Sequence, residues 1–152
     1  MSIIRFAMAL IVGTLVLLVL GFILYAMVFT GYFAANAEPG ASAVAKDSPD
    51  MLFIYLSEVI LAALLCLVIG CWAGVSGVVA GLRTGAVFGF LMSLAISMMF
   101  YGTVNYMNLQ ATLFDVVLTT VRVAVAGAVI GIVLRRKQPA GSSAGSPAAV
   151  NG

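Results

Sequence analysis

The sequence contains no histidine, so it lacks the side chain that most often serves as a general base or metal ligand near neutral pH. It also lacks a phosphate-binding loop and any recognisable arrangement of a nucleophile beside a base. Its two cysteines, Cys66 and Cys71, would lie about 140° apart around a helix, which is unsuitable for a disulfide or a shared metal. We therefore expect no metal, no cofactor and no enzymatic activity.

Charge is scarce as well. Only 8% of the 152 residues are charged and 64% are hydrophobic, whereas a soluble domain carries about 25% charged residues. The net charge of +2, with no clustering of basic residues among aromatic ones, argues against nucleic-acid binding. The composition indicates an integral membrane protein whose main partner is the lipid bilayer.

The sequence does contain long apolar runs. A helix needs about 20 apolar residues to cross the hydrocarbon core, and four segments meet this length, at residues 6–32, 51–73, 85–106 and 113–134. We predict an all-α, four-helix membrane bundle over residues 1–137. The remaining residues, 138–152, are rich in Pro, Gly, Ser and Ala and are predicted to be a disordered cytoplasmic tail.

The first apolar run has some features of a signal peptide. Arg5 precedes it, and the small residues Ala35 and Ala37 stand before Glu38 as they would at a cleavage site. The apolar part of a signal peptide is only about 7–15 residues long, roughly half of this run. We expect a retained helix and leave cleavage after Ala37 open.

The connections carry signals for helix ends. Ser48 is predicted to cap the second helix, with Asp50 complementing its dipole. Thr112 and Asp115 have the spacing of a capping box for the fourth helix. The glycine-rich residues 74–84 are predicted to form a hinge before the third helix.

The basic residues predict the orientation. If the chain crosses the membrane four times, Arg5, Arg83 and the run from Arg135 to Lys137 share one side, and only Lys46 falls on the other. Cytoplasmic connections carry an excess of Lys and Arg. Both termini are therefore predicted to lie in the cytoplasm.

Small residues recur at every fourth position of the third helix, and a second such pair lies on the fourth. In lipid, small residues allow two helix backbones to approach closely. The predicted packing residues are Gly85, Gly89, Ser93, Ser97, Gly127 and Gly131. These faces are expected to join the third and fourth helices, a second copy of the chain or a partner membrane protein. Gly77 and Gly81 belong to the same row but fall in the predicted hinge.

Two charged residues lie deep inside predicted helices. At 1.5 Å per residue, Glu58 lies about 10 Å and Arg122 about 13 Å from the same face of the membrane. An unpaired charge near the bilayer centre costs at least about 2.5–3.5 kcal/mol. We therefore predict that Glu58 and Arg122 form a pair. Further polar residues expected at this level are Tyr55, Tyr101, Asn105, Asp115 and Thr119.

Two interpretations of this cluster remain open. In one, it is a structural network, in which Arg122 could instead extend towards Asp115 while Asp115 caps its helix and Glu58 carries a proton. In the other, the cluster binds or moves a small molecule. A polar route past Glu58 to Arg83 would favour transport, and an apolar core there would favour a structural role.

Two segments resemble a known family. They are LGFILYAMVFTGYFAANA, at the end of the first helix, and GLRTGAVFGFLMSLAISMMFYGTVNYMN, which is followed by Asp115 and VAGAVIG. Over residues 6–134 the chain is similar to a bacterial family of small four-helix membrane proteins of unknown function, with a Tyr-Gly-Thr…Asn-like third helix. It departs from that family in having Leu24 before Tyr25, where a Trp-Tyr pair is common. The resemblance implies four helices in a bacterial inner membrane, and it carries no known activity to transfer.

The resulting functional hypothesis is a multi-pass membrane protein that packs, or associates with partners, through its small-residue faces. The alternative is a small transporter or channel that uses the Glu58–Arg122 pocket. Small four-helix multidrug exporters carry their essential glutamate in the first helix, and this chain has none there.

Overall fold

The computed structural model of the chain describes residues 3–46, 48–74 and 76–135. Its helices are α1 (Ile3–Gly21), α2 (Thr30–Ala35), α3 (Ala41–Val44), α4 (Met51–Leu67), α5 (Val78–Thr103) and α6 (Leu109–Val133). Two π-helical segments, Phe22–Val28 and Val68–Trp72, continue α1 and α4. The predicted tail at residues 138–152 lies outside the described residues.

Within the described residues, four helices are long and apolar enough to cross a membrane: Ile3–Val28, Met51–Trp72, Val78–Thr103 and Leu109–Val133. The predicted all-α, four-helix architecture is therefore confirmed. The third of these helices begins seven residues earlier than the predicted span, at Val78. The residue before it, Gly77, has a φ of 101°, a conformation that glycine adopts readily and other residues rarely do. The predicted hinge over residues 74–84 is thus wrong beyond Gly77.

The helix caps also differ from those predicted. Asp50, not Ser48, caps α4, because its carboxylate accepts a hydrogen bond of 3.2 Å from the amide two residues later. Asn108 caps α6, its side-chain oxygen accepting from the amide three residues later at 2.9 Å. Thr112 and Asp115 therefore lie inside α6 and form no capping box. Because Asn108 is the N-cap of α6, the Asp115 carboxylate is available for other contacts.

Helix α6 is the centre of the bundle. It packs against α5 along one side and against α1 and α4 on the other. The core on the α1 and α4 side consists of Ala9, Leu17, Ala62, Leu65, Cys66, Ile69, Val123, Ala126, Ile130 and Leu134. The outward faces of α1, α4 and α5 expose large apolar side chains, as expected for helices in contact with lipid.

Small residues make the contact between α5 and α6. A Cβ atom on Gly85 would lie 2.6 Å from the carbonyl oxygen of Val123, and one on Gly127 would lie 2.5 Å from that of Gly81. The backbones of the two helices are therefore in direct contact, with no room for a side chain between them. All six predicted packing residues are buried, namely Gly85, Gly89, Ser93, Ser97, Gly127 and Gly131.

The small-residue row extends further than predicted. Gly81 is also buried against α6, and the Gly77 amide donates a hydrogen bond of 2.8 Å to the Gly131 carbonyl oxygen. The row of every fourth residue is inclined by about 26° to a helix axis, so a helix that crosses at an angle can follow it. The assignment of Gly77 and Gly81 to a separate hinge is therefore wrong. Because these faces are buried inside the chain, a partner or second copy could reach them only by displacing α5 from α6.

At one end of the bundle, hydrogen bonds join the connection after α2 to the connection between α5 and α6. The Asn108 side chain donates a hydrogen bond of 2.8 Å to the Asn36 side-chain oxygen, and the Asn108 amide donates to the Asn36 carbonyl oxygen at 3.1 Å. Ala37 and Met107 form an isolated antiparallel β-bridge beside them. We call this the asparagine end of the bundle. The opposite end, which carries Arg5, Arg83 and Arg135, is the arginine end.

Candidate intramembrane binding site

A buried ion pair joins α4 to α6. Arg122 Nη1 lies 2.7 Å from Glu58 Oε1, and the two side chains are only 13% and 9% exposed. The contact predicted from their matching depths is confirmed. The alternative in which Arg122 turns away to Asp115 is not what the structure shows.

Helix α1 passes beside this ion pair at a glycine. A Cβ atom on Gly21 would lie 2.7 Å from Arg122 Nη1 and 3.8 Å from Glu58 Oε1. The missing side chain at Gly21 therefore provides the space in which the guanidinium meets the carboxylate. Three helices, α1, α4 and α6, build the site.

Tyr25 joins the polar network from the π-helical segment Phe22–Val28, which continues α1. Its phenol donates a hydrogen bond of 2.6 Å to Asp115 Oδ1, and the Thr119 hydroxyl lies 3.0 Å from the same phenol oxygen. The phenol has only one hydrogen, which Asp115 receives, so Thr119 acts as the donor in the second contact. The Arg122 guanidinium carbon lies 5.8 Å from the centre of the Tyr25 ring, within the range of a cation–π contact.

The sequence contained a signal for Tyr25. Counted from residue 32, the predicted end of the first helix, it lies about 10 Å deep, the same depth as Glu58. Its direction could not be predicted, because Tyr25 belongs to the π-helical segment Phe22–Val28. A π-helical turn alters the spacing on which a helical pattern depends.

Asp115 accepts one short hydrogen bond and one long one. Oδ1 accepts from Tyr25, whereas the nearest partner of Oδ2 is the Ser97 hydroxyl at 3.5 Å. That distance is at the limit of a hydrogen bond. The second carboxylate oxygen is therefore weakly satisfied.

The other predicted members of the cluster lie around it. Tyr55 is half exposed and lines a groove beside Glu58. Tyr101 is half exposed and lines a cavity beside Asp115. Asn105 does not join the site: α5 ends at Thr103, and Asn105 is an exposed residue of the following connection.

We name the first concave surface the lateral groove. It has a volume of about 780 Å³ and opens between α1 and α4, with Glu58 and Arg122 in its wall. Its other walls are mainly apolar and include Leu18, Val19, Phe22, Met51, Ile54 and Tyr55. Two buried polar atoms of the ion pair, Glu58 Oε2 and Arg122 Nε, have no hydrogen-bond partner among the described residues.

We name the second concave surface the Asp115 cavity. It has a volume of about 600 Å³ and lies near the asparagine end, between α5, α6 and the segment that follows α3. Ser97, Thr112 and Asp115 are its polar residues within α5 and α6. The aromatic side chains around it are Phe100, Tyr101 and Tyr106.

The network contains more acid than base. Glu58 and Asp115 are carboxylates, and Arg122 is the one cation hydrogen-bonded to either of them among residues 3–46, 48–74 and 76–135. If both carboxylates are ionised, one negative charge remains in a region where charge is costly. A bound cation or a proton would neutralise it.

The described residues contain no group of three His, Cys, Asp or Glu side chains that could hold a metal ion. No protein-family model matches the chain, and no curated protein or solved structure shows a significant match to it. The function must therefore be argued from this site alone.

Proposed function

We propose that the chain is a multi-pass protein of the bacterial inner membrane that binds a zwitterionic phospholipid in the lateral groove. One observation carries the proposal. The ion pair in the groove wall holds a buried acceptor, Glu58 Oε2, and a buried donor, Arg122 Nε, and neither has a hydrogen-bond partner among the described residues. Buried polar groups nearly always have partners, so a side-chain shift that opens these two atoms to the groove would let a bound molecule supply both.

The chemistry of the two atoms defines the head group. Glu58 Oε2 requires an N–H or O–H donor, and Arg122 Nε requires an acceptor. An ammonium group next to a phosphate provides both, with charges complementary to the ion pair. The head group of phosphatidylethanolamine has this arrangement. A trimethylated ammonium carries the same charge but has no N–H to donate.

The walls of the groove suit the rest of a lipid. Val19 and Phe22 are more than half exposed on the outward face, and apolar side chains surround the ion pair. A lipid could therefore enter sideways from the bilayer while its acyl chains stay against apolar surface. Ligand sites generally combine such walls with a few polar groups that fix orientation.

The orientation and the family remain parts of this proposal. Arg5, Arg83 and Arg135 lie at one end of the bundle, which supports placing both termini in the cytoplasm. The Tyr-Gly-Thr sequence that ends the third helix, with Asn105 just after it, supports membership of the bacterial four-helix family. We place no partner or second copy on the glycine faces, because α5 and α6 bury them against each other.

Binding explains the site better than passage across the membrane. Between the ion pair and the arginine end, the buried residues of α4 and α6 are apolar: Ala62, Leu65, Ala126 and Ile130. A transporter or channel using Glu58 and Arg122 would need a polar route through this region. The apolar core therefore argues against transport, and the unpartnered Glu58 Oε2 and Arg122 Nε favour binding over a purely structural ion pair.

The test compares lipids that differ only in the head group. The protein is reconstituted in nanodiscs of phosphatidylethanolamine or of phosphatidylcholine with the same acyl chains, and its thermal unfolding is measured in each. We expect a higher unfolding temperature in phosphatidylethanolamine, since a bound ligand stabilises the folded state. Glu58→Gln should abolish the difference between the two lipids, even if it lowers both unfolding temperatures.

Ser57→Ala is the matched control, because Ser57 is the neighbouring residue on α4 but is exposed and bonds only to its own helix. It should retain the lipid preference. Equal unfolding temperatures in the two lipids, or a preference that survives Glu58→Gln, would disprove the proposal.

A further inference from the structure

We propose that the Asp115 cavity is a second binding site, which takes a hydrophobic organic cation such as an aromatic quaternary ammonium ion. The site is separate from the lateral groove and does not depend on lipid binding there. The proposal rests on the weakly bonded second oxygen of the Asp115 carboxylate, on the lack of a salt bridge to Asp115 among the described residues, and on the aromatic lining of the cavity.

The first step concerns the Asp115 carboxylate, whose two oxygens are unequally hydrogen-bonded. Asp115 lines the cavity, and its Oδ1 is bonded to Tyr25 at 2.6 Å. Its Oδ2 has only the 3.5 Å contact with Ser97. A cation in the cavity could therefore reach a carboxylate oxygen without displacing an existing short hydrogen bond.

The second step is that the basic side chains Arg122 and Lys46 contact residues other than Asp115. In the part of the chain that the structure describes, no Lys or Arg nitrogen forms a salt bridge with Asp115. Arg122 is paired with Glu58, and Lys46 lies 5.9 Å from the centre of the Phe53 ring on α4. The negative charge of Asp115 is thus left for an external cation or a proton to neutralise.

The third step is the lining. Phe100, Tyr101 and Tyr106 provide aromatic rings around the cavity, and the remaining wall is mostly aliphatic. Aromatic faces attract cations and are the usual lining of sites for quaternary ammonium groups. An inorganic ion would be poorly hydrated in such a cavity, whereas an organic cation would bury apolar surface there. The volume of about 600 Å³ lies within the range of small-molecule sites.

The probe is benzyltrimethylammonium, which has one aromatic ring and a charge that cannot be lost as a proton. Its binding is measured by isothermal titration calorimetry on the full chain in micelles of the non-ionic detergent dodecyl maltoside, which has no ammonium group to compete, with empty micelles as the blank. We expect saturable binding with one site per chain. Asp115→Asn, which keeps the shape but removes the charge, should weaken binding about tenfold or more, since each tenfold step corresponds to about 1.4 kcal/mol.

A second pair of variants keeps the proposal testable if Asp115→Asn fails to fold. Ala45 is exposed and lines the cavity, so Ala45→Phe should fill the cavity and abolish binding. Ala43 is exposed on the preceding helix and is absent from the cavity wall, so Ala43→Phe should bind within about twofold of the unmodified chain. Unchanged binding in folded Asp115→Asn, equal binding in the two phenylalanine variants, or no saturable binding at all would overturn the proposal.

Discussion

The phenol of Tyr25 donates a 2.6 Å hydrogen bond to the carboxylate of Asp115, ninety positions later in the chain. The two residues face different concave surfaces: Tyr25 lines the lateral groove and Asp115 lines the Asp115 cavity. Their hydrogen bond is therefore part of the wall that separates the two surfaces. It also fastens α1 to α6, near the point where Arg122 binds Glu58.

Removing the phenol should test how much this contact stabilises the bundle. Tyr25→Phe keeps the ring but leaves Asp115 without its short hydrogen bond. We expect a loss of about 1–2 kcal/mol in the free energy of unfolding, measured by SDS titration in mixed micelles. Tyr55→Phe, which removes a phenol from a half-exposed ring on the groove, is the control and should change stability by less than about 0.5 kcal/mol. Equal effects of the two variants would contradict the structural role of Tyr25.

The ion pair can be tested by exchanging its charges. Glu58→Arg and Arg122→Glu each place two like charges at a buried position, and removing one partner of a buried pair costs about 3–5 kcal/mol. The double variant restores an opposite pair and should recover a substantial part of that loss. The loss of unfolding free energy in the double variant is compared with the sum of the losses in the two single variants. Strict additivity of the two losses would show that the side chains do not interact.

The close approach of α5 and α6 can be tested on two glycines of the same helix. In Gly85→Ala the new methyl group would meet the Val123 carbonyl oxygen, so the helices must separate, at a cost of about 1–3 kcal/mol. In Gly102→Ala the new methyl group meets nothing within 4 Å. That change should be neutral or stabilising by up to about 1 kcal/mol, because alanine favours the helix. Thermal unfolding of the two variants should therefore shift in opposite directions or by clearly different amounts.

Asn108 performs two tasks that substitution can separate. Asn108→Ala removes both the α6 cap and the bond to Asn36, so we expect a loss of about 1–3 kcal/mol in unfolding free energy. Asn108→Asp keeps the capping oxygen and loses only the donor to Asn36, so its effect should be smaller. Asn105→Ala, at an exposed position of the same connection, is the control. A loss as large in Asn105→Ala would show that the effect does not come from the cap.

Simple spacing was enough to predict the main helix contacts. The row of small residues at every fourth position predicted the packing of α5 on α6, and counting 1.5 Å per residue brought Glu58 level with Arg122. Both arguments succeed because, in lipid, close backbone packing and charge neutralisation leave few alternatives.

The roles of Tyr25, Asp115 and Gly81 depend on local backbone geometry, which residue spacing does not reveal. Tyr25 lies in a π-helical segment, so the regular helical repeat gives no reliable direction for its side chain. Asp115 had capping-box spacing, but Asn108 caps the helix from an earlier position. Gly81 was assigned to a hinge because of its glycine-rich surroundings, whereas close contact with α6 makes glycine the required residue in a continuous helix.

The central position of α6 has a consequence for biosynthesis. Glu58 and Tyr25 both have their buried partners on α6, which follows them in the chain. At about 5–20 residues per second, roughly 5–18 s separate the synthesis of Tyr25 from that of Asp115. During this interval the segments that carry Tyr25 and Glu58 lack their partners on α6. Their buried polar contacts can therefore form only after α6 has been made.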